Sequence, residues 1–555
     1  MIKENFTKTL EKSIRDNWDM PALSNYQGSG LHYGEIAEEM VRLHILFENE
    51  NIDRGDKIAL IGKNSVNWGI VYLAVVTYGA VIVPVLPDFR TEDVHHILNH
   101  SDSKILFVAE NIWKQLDWGK IPGIQDVFTL EGLKVVESKS NDFITLTGLP
   151  IKEFLKKKYN KELSRENLNF PKAGNDELAE ISYTSGTTGF SKGVMLKHNS
   201  LAANIQFAQN HMPLKSGDKI VSFLPLAHSY GCAFEFLFPF TLGCHITFLT
   251  KTPSPQIIIK AFSEIKPRLI LSVPLVIEKV YKKKVVPALR KPIVNFLLKV
   301  PGINRLLYTS IRKKLATAFG GNFKEMVIGG AAFNPTAEAF FKKIKFPFTV
   351  GYGMTECGPL ISYASWDKFE PGSAGIAVDT LEVKIDSEDP QKVVGEIMLR
   401  GENVMVGYYK NEEATKNVLD EDGWLRTGDL GLIDKDGNIF IKGRNKSMIL
   451  GPSGQNIYPE EIESSINARQ LILESVVVEK DGKLVALICP DQEQIEKRKI
   501  STAKVEEMLK NYRKETNQTL PSYMQVTKFI LHPEEFEKTP KRSIKRYLYQ
   551  GKINQ

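Results

Sequence analysis

Up to about residue 380, short apolar runs alternate with segments of helical periodicity. Lys57-Ile-Ala-Leu-Ile61 and Val81-Ile-Val-Pro-Val85 read as buried strands, and the apolar stretch Trp68 to Tyr78 between them reads as a core helix. Residues 104–108, 219–223, 245–248, 269–272 and 325–328 repeat the strand signature, with helical spacers between most of them. Strand, helix, strand in succession predicts an α/β fold with mainly parallel sheets.

The pattern changes after about Leu381. Short strands separated by Gly and Asp turns, with Gly423, Asp436-Gly437 and Gly443 as punctuation, predict a small antiparallel β subdomain over about 381–443. Past about Ser447 a new unit begins: helix 459–468, strand 473–478, a turn at Asp481-Gly482, strand 484–489, helix 502–516 and strand 525–531. A chain of 555 residues exceeds one compact domain. The expected division is a large N-terminal domain, 1–445, and a small α+β C-terminal domain, 446–555.

Composition narrows the classes without choosing among them. The chain is 42% hydrophobic and 25% charged, both ordinary for a globular protein. Cys232, Cys244, Cys357 and Cys489 are scattered and form no CxxC pair, which argues against a disulfide framework or a cysteine zinc site. The N-terminal segment mixes both charge signs and lacks an apolar core, so no secretory signal is expected. No run of about 20 apolar residues suggests a membrane span, and a cytoplasmic location is expected. The net charge of +6 is concentrated: residues 281–320 hold ten Lys/Arg and no Asp/Glu, with apolar residues interleaved. That stretch is either a solvated helical face or a contact for an anionic membrane or a phosphorylated ligand. Nucleic acid is not expected, because no aromatic-basic module accompanies it.

Chemistry concentrates first at 181–193, Ile-Ser-Tyr-Thr-Ser-Gly-Thr-Thr-Gly-Phe-Ser-Lys-Gly. A strand-like lead delivers Thr184, Ser185, Thr187 and Thr188 among Gly186 and Gly189, with Lys192 close behind. Glycines let backbone N–H groups approach phosphates, hydroxyls donate to phosphate oxygens, and the lysine supplies charge. The spacing is not that of a Walker A loop. On composition alone an ordinary Ser/Thr/Gly surface loop would read the same way. At 350–358, Val-Gly-Tyr-Gly-Met-Thr-Glu-Cys-Gly, Gly351 and Gly353 flank an aromatic. Tyr352 can stack on a purine, Thr355 can bind a phosphate oxygen, and Glu356 can hold Mg²⁺.

The first of these segments resembles the phosphate loop of the adenylate-forming superfamily, which includes acyl-CoA synthetases, luciferase and peptide-synthetase adenylation domains. The second is similar to that family's Tyr-Gly-x-Thr-Glu motif. The resemblance runs from about Tyr33 to Arg546 and implies ATP, Mg²⁺ and coenzyme A as cofactors, with Thr184 and Glu356 toward the metal. It implies that Gly330 and Ala331, within Gly329-Gly-Ala-Ala332, line the adenine and acyl pockets. Asp429, in Gly423-Trp-Leu-Arg-Thr-Gly-Asp-Leu-Gly431, would accept the ribose hydroxyls with Arg444 as partner. Lys446 would mark a hinge between two half-reactions, and Gly454 and Asn456 would line the pantetheine tunnel. His228, in Phe223-Leu-Pro-Leu-Ala-His-Ser-Tyr-Gly231, would sit beside the acyl pocket.

One segment departs from the family. Its C-terminal catalytic lysine is expected three or four residues after Thr539, where Arg542 and Ser543 stand instead. Lys541 and Lys545 flank the gap as candidates; Arg542 as a substitute, or slow adenylation, are the other readings. The implied activity is conversion of a carboxylic acid to acyl-AMP and transfer to a thiol. Pro452-Ser-Gly-Gln-Asn-Ile-Tyr-Pro-Glu-Glu-Ile462 and Glu537-Lys-Thr-Pro540 look most like bacterial long-chain fatty acid–CoA ligases. A fatty acyl-AMP ligase that loads an acyl carrier protein, and a degenerate protein that binds adenylate or fatty acid without turnover, are the alternatives.

Overall fold

The protein is described by a computed structural model covering residues 2, 4–139, 162–184, 191–251, 253–450, 455–480, 482–539 and 544–550. The parallel core forms where the apolar runs predict it. Lys57–Ile61 pairs in parallel with Val81–Val85 on one side and Ser103–Val108 on the other. The connecting helix Val66–Tyr78 begins where the Ser65 side chain accepts the Trp68 N–H, and ends at Gly79, whose φ of 93° suits a left-handed cap. That helix is buried almost all round, as expected of a crossover packed against a covered parallel sheet.

These strands belong to an eight-stranded sheet. Its order is 407–408, 192–197, 178–184, 81–85, 57–61, 103–108, 126–129, 135–138. The antiparallel members lie toward its two edges. A second sheet joins Lys219–Ser222 and His245–Phe248 to Pro21–Asn25 and Gly30–His32, and a third runs in parallel through Leu269–Ser272, Glu325–Ile328 and Phe348–Val350. The hydrophobic core is continuous across all three.

Leu381–Asp386, Gly395–Gly401, Leu425–Ile433 and Ile439–Arg444 form the expected four-stranded antiparallel sheet. Part of the same stretch goes elsewhere. Residues 406–409 leave this sheet and hydrogen-bond to the edge strand Lys192–Lys197, with Gly407 opposite Met195 and Tyr408 opposite Val194.

In the C-terminal part, Ile472–Lys480 and Lys483–Pro490 make a hairpin, with Val526–Leu531 parallel to the second strand. Alternation along the strands supplies two apolar faces. Val477, Ala486 and Val526 pack with Ile462, Ile466, Val505 and Leu509 of the helices Pro459–Asn467 and Thr502–Thr519. Val476, Val478 and Leu487 pack with Phe536 and Tyr549 of the terminal segment. Lys282 reaches this unit from the large domain, donating to the carbonyls of Asn467 at 2.7 Å and Ile472 at 3.4 Å. All four cysteines are buried and unpaired. No described helix is long and apolar enough to cross a membrane.

Candidate functional site

The hairpin Leu178–Thr184/Lys192–Lys197 sets the first half of the site. Its register places Thr184 opposite Lys192, so the two residues bracket the loop between them. Ser185, Gly186, Thr187, Thr188 and Gly189 lie outside the described residues. Lys192 Nζ sits 4.7 Å from the ring centroid of Tyr408, a cation–π distance. The Tyr408 hydroxyl donates to Glu356 Oε1 at 2.9 Å. Burial first, and then the Glu356 carboxylate, pushes the Tyr408 phenol up, so it stays a donor at neutral pH. One tyrosine thus joins the candidate phosphate-binding lysine to the candidate metal-binding glutamate.

The turn bearing Glu356, Thr355–Cys357, is pinned from several sides. Met405 N–H donates to the Glu356 carbonyl at 2.9 Å. The Asn204 amide donates to the Cys357 carbonyl at 3.0 Å and accepts the Leu360 N–H at 2.8 Å. Gly353 must be glycine, since a Cβ there would lie 2.3 Å from the Pro359 carbonyl oxygen. Thr355 is buried and Glu356 is half-buried. Among the described residues nothing donates to Glu356 Oε2. The Glu356 carboxylate and the Thr184 hydroxyl are groups that suit Mg²⁺, which takes few protein ligands and completes its shell with phosphate and water. Among the described residues there is no cluster of three or more His, Cys, Asp or Glu that would hold a metal by itself.

The second half is built on Asp429. Strand pairing sets Asp429 opposite Arg444, and Arg444 Nε lies 3.0 Å from Asp429 Oδ1. The Tyr352 hydroxyl donates to Oδ2 at 2.7 Å. Burial raises the Asp429 carboxyl and the Arg444 charge opposes the shift, while Asp429 raises the Arg444 guanidinium. A carboxylate offers about four lone-pair positions. These contacts therefore leave capacity for ribose hydroxyls, beside an exposed arginine.

Between these halves lies a cleft lined by His228, Tyr230, Gly329, Gly330, Gly351 and Tyr352. Gly353 and Leu360 border it too. Gly330 has φ 87°, and a Cβ on Gly329 would come within 3.2 Å of the Tyr230 ring. Ala331 is exposed beside them. His228 Nδ1 accepts the Tyr230 N–H at 3.2 Å, which assigns the proton of the neutral ring to Nε2. The loop ahead of it is fastened by Glu235, which accepts the Phe223 and Leu224 N–H groups at 2.8 and 2.9 Å. Asn64 accepts the Leu226 N–H at 3.0 Å.

The structure therefore gathers Lys192, Glu356, Gly330, Gly351, Tyr352, Gly353, Asp429, Arg444 and His228 into two hydrogen-bonded clusters and one cleft. Lys446 and Asn456 are exposed and make no hydrogen bond or ion pair with these groups. Lys545 pairs with Glu537 at 3.3 Å within the terminal segment. Gly454, Lys541 and Arg542 lie outside the described residues. Arg546 forks onto both Glu463 oxygens and the Val477 carbonyl, an anchoring contact within the C-terminal unit. Sequence reasoning missed Tyr408, Glu235, Asn204 and Asn64. Tyr408 sits in a Gly-Tyr-Tyr triplet inside a stretch that reads as an antiparallel unit, and nothing local ties it to a phosphate site. The buried Glu235 in an apolar run was the one visible signal, because a carboxylate there needs donors.

The fold is that of an adenylate-forming enzyme. The backbone superposes on the anthranilate CoA ligase AuaEII in complex with anthranoyl-AMP with a TM-score of 0.79 at 17% identity, over 99% of this chain and 97% of that one. An ATP-bound RpMatB–BxBclM chimera gives 0.78 at 22% identity, covering 99% of both chains. The chain belongs to the AMP-binding enzyme family, which it matches over residues 10–409, with the family's C-terminal domain over 446–553. It is 28% identical to the long-chain-fatty-acid–CoA ligase FadD15 of Mycobacterium bovis, over 80% of this chain and 74% of that protein. It is 27% identical to the long-chain-fatty-acid–CoA ligase of Yersinia pestis, over 83% of this chain and 80% of that protein.

Proposed function

We propose that this protein uses ATP to convert a long-chain fatty acid to acyl-AMP and pyrophosphate, and then transfers the acyl group to coenzyme A with release of AMP. The observation that carries the reading is the Lys192–Tyr408–Glu356 chain at the mouth of the Thr184 hairpin. The names of the similar ligases support the choice of acid and thiol.

A carboxylate is a poor acyl donor until its oxygen is made a leaving group. In the first step that oxygen bonds to the α-phosphorus and the bond from it to the β-phosphate oxygen breaks. Two anions must meet, so the site needs fixed positive charge. Lys192 supplies one cation, held over the Tyr408 face. Mg²⁺, bound by Glu356 and Thr184, would neutralise phosphate charge. Asp429 and Arg444 hold the ribose, and Tyr352 and the glycines at 329–330 bound the adenine. A C-terminal cation completes the set. Lys545 is paired with Glu537, and Lys541 and Arg542 are the other candidates for that role. In the second step the thiol sulfur attacks the acyl carbonyl and the bond to AMP breaks. Rotation at Lys446 would bring Gly454 and Asn456 to the pantetheine, with His228 beside the acyl group. We place the reaction in the cytoplasm, near membranes into which long acyl chains partition at about 0.8 kcal/mol per CH₂.

The test is fatty-acid-dependent ATP–pyrophosphate exchange, followed by thioester formation with free coenzyme A across acids from acetate to oleate. Exchange and thioester should both be strongest with long chains. Preference for acetate or an aryl acid would overturn the substrate. Exchange without a coenzyme A thioester would point to a carrier-protein thiol, and no exchange with any acid to a binding protein.

A further inference from the structure

We infer that the helical arm over residues 286–318 is a docking surface for an anionic lipid bilayer, with Ile293, Phe296 and Leu306 as its inserted side chains. These are the three most exposed large apolar residues of the described chain, at 74%, 68% and 73%. Ile293 and Phe296 stand one turn apart on the helix Pro292–Leu297, and Ile303 and Leu306 one turn apart at the start of Ile303–Ala318. The two helices are consecutive and touch. The first helix buries none of its residues; the second sets Tyr308, Ile311, Leu315 and Ala316 against the core, which leaves Ile303 and Leu306 outside it. Apolar side chains left in water on adjoining helices mark a contact surface.

Charge identifies the partner. Arg290, Lys291, Lys299, Arg305, Lys313 and Lys314 are exposed on the same arm, and no acidic residue occurs from 281 to 320. None of these six cations has a salt-bridge partner among the described residues. A second copy meeting this arm about a two-fold axis would set cations against cations. A bilayer rich in acidic headgroups meets both features at once, apolar tips in the acyl boundary and cations among phosphates.

This inference adds a partner to the proposed reaction but does not need turnover, so the two can fail separately. The full chain is sedimented with vesicles of equimolar phosphatidylcholine and phosphatidylglycerol, and with phosphatidylcholine alone. Expected are binding to the mixed vesicles only, release by high salt, and a loss of at least about tenfold in partitioning for the triple variant I293S/F296S/L306S. An unchanged melting curve, and unchanged thioester formation with a water-soluble acid, show that the variant is folded. A second variant, K291Q/K299Q/R305Q, should lose binding while keeping every apolar residue. Equal binding to both vesicle types, no binding to either, or wild-type binding by the triple variant overturns the inference. So does a wild-type dimer, detected by sedimentation without lipid, that the triple substitution dissociates.

Discussion

Replacing Tyr408 with phenylalanine isolates one hydrogen bond at the centre of the site. The ring remains, so the packing and the 4.7 Å contact with Lys192 remain. What disappears is the hydroxyl that donates to Glu356 Oε1 at 2.9 Å. A hydrogen bond to a charged acceptor contributes about 1.5–3 kcal/mol. If that energy is spent on holding Glu356 in position, kcat/KM for adenylation falls roughly ten- to 150-fold, at about 1.4 kcal/mol per tenfold. The assay is ATP–pyrophosphate exchange over a magnesium titration, in which Tyr408→Phe should also need more magnesium for half-maximal rate. Tyr408→Leu also removes the face under Lys192 and should lose about 0.5–2 kcal/mol more. Exchange by Tyr408→Phe within about twofold of the parent, with the same magnesium dependence, would refute the reasoning, because a loss that small lies below any charge-assisted bond.

Asp429→Asn keeps the shape and an acceptor for Tyr352 but removes the partner of Arg444. Calorimetry should show ATP binding weakened roughly ten- to a hundredfold. Glu235→Ala leaves two buried N–H groups unpaired, at about 1–3 kcal/mol each, and should lower the urea midpoint strongly, whereas Glu235→Gln restores most of it. His198 is fully buried, with no hydrogen-bond partner for either ring nitrogen among the described residues. Burial pushes its imidazole from 6.5 down to about 4. The unfolded chain therefore takes a proton first, and stability present above pH 6.5 is lost as pH falls toward about 4, by roughly 3 kcal/mol. Denaturation across this window should show the acid limb flattened in His198→Leu; an unchanged limb would mean another group titrates.

Strands buried on both faces were the easiest to read, because each is a nearly unbroken apolar run: Lys57–Ile61, Val81–Val85 and Leu269–Ser272 form where expected. Pro21–Asn25 gave no such signal. It is short and half polar, and is a strand because His245–Phe248 pairs with it from more than two hundred positions away. Leu178–Thr184 carries Glu180 at its centre, which is tolerated because Tyr72 donates to it at 2.6 Å and burial pushes its carboxyl up to about 7. Residues 406–409 read as part of the β subdomain and instead extend the eight-stranded sheet. Their Gly and paired tyrosines suit either edge, and only the unfilled side of Lys192–Lys197 selects one.

Taken alone, the chain determined most of its elements, their order and the spacing of its hydroxyl, glycine and carboxylate motifs. These follow from local periodicity and from backbone demands such as that at Gly353. Tertiary structure decided which motifs meet. Tyr408 reaches Glu356 across 52 positions, and Tyr352 reaches Asp429 across 77. Neither pairing has a local signature, because a side chain's partner is set by sheet register and crossover geometry, and these depend on the burial of the whole core.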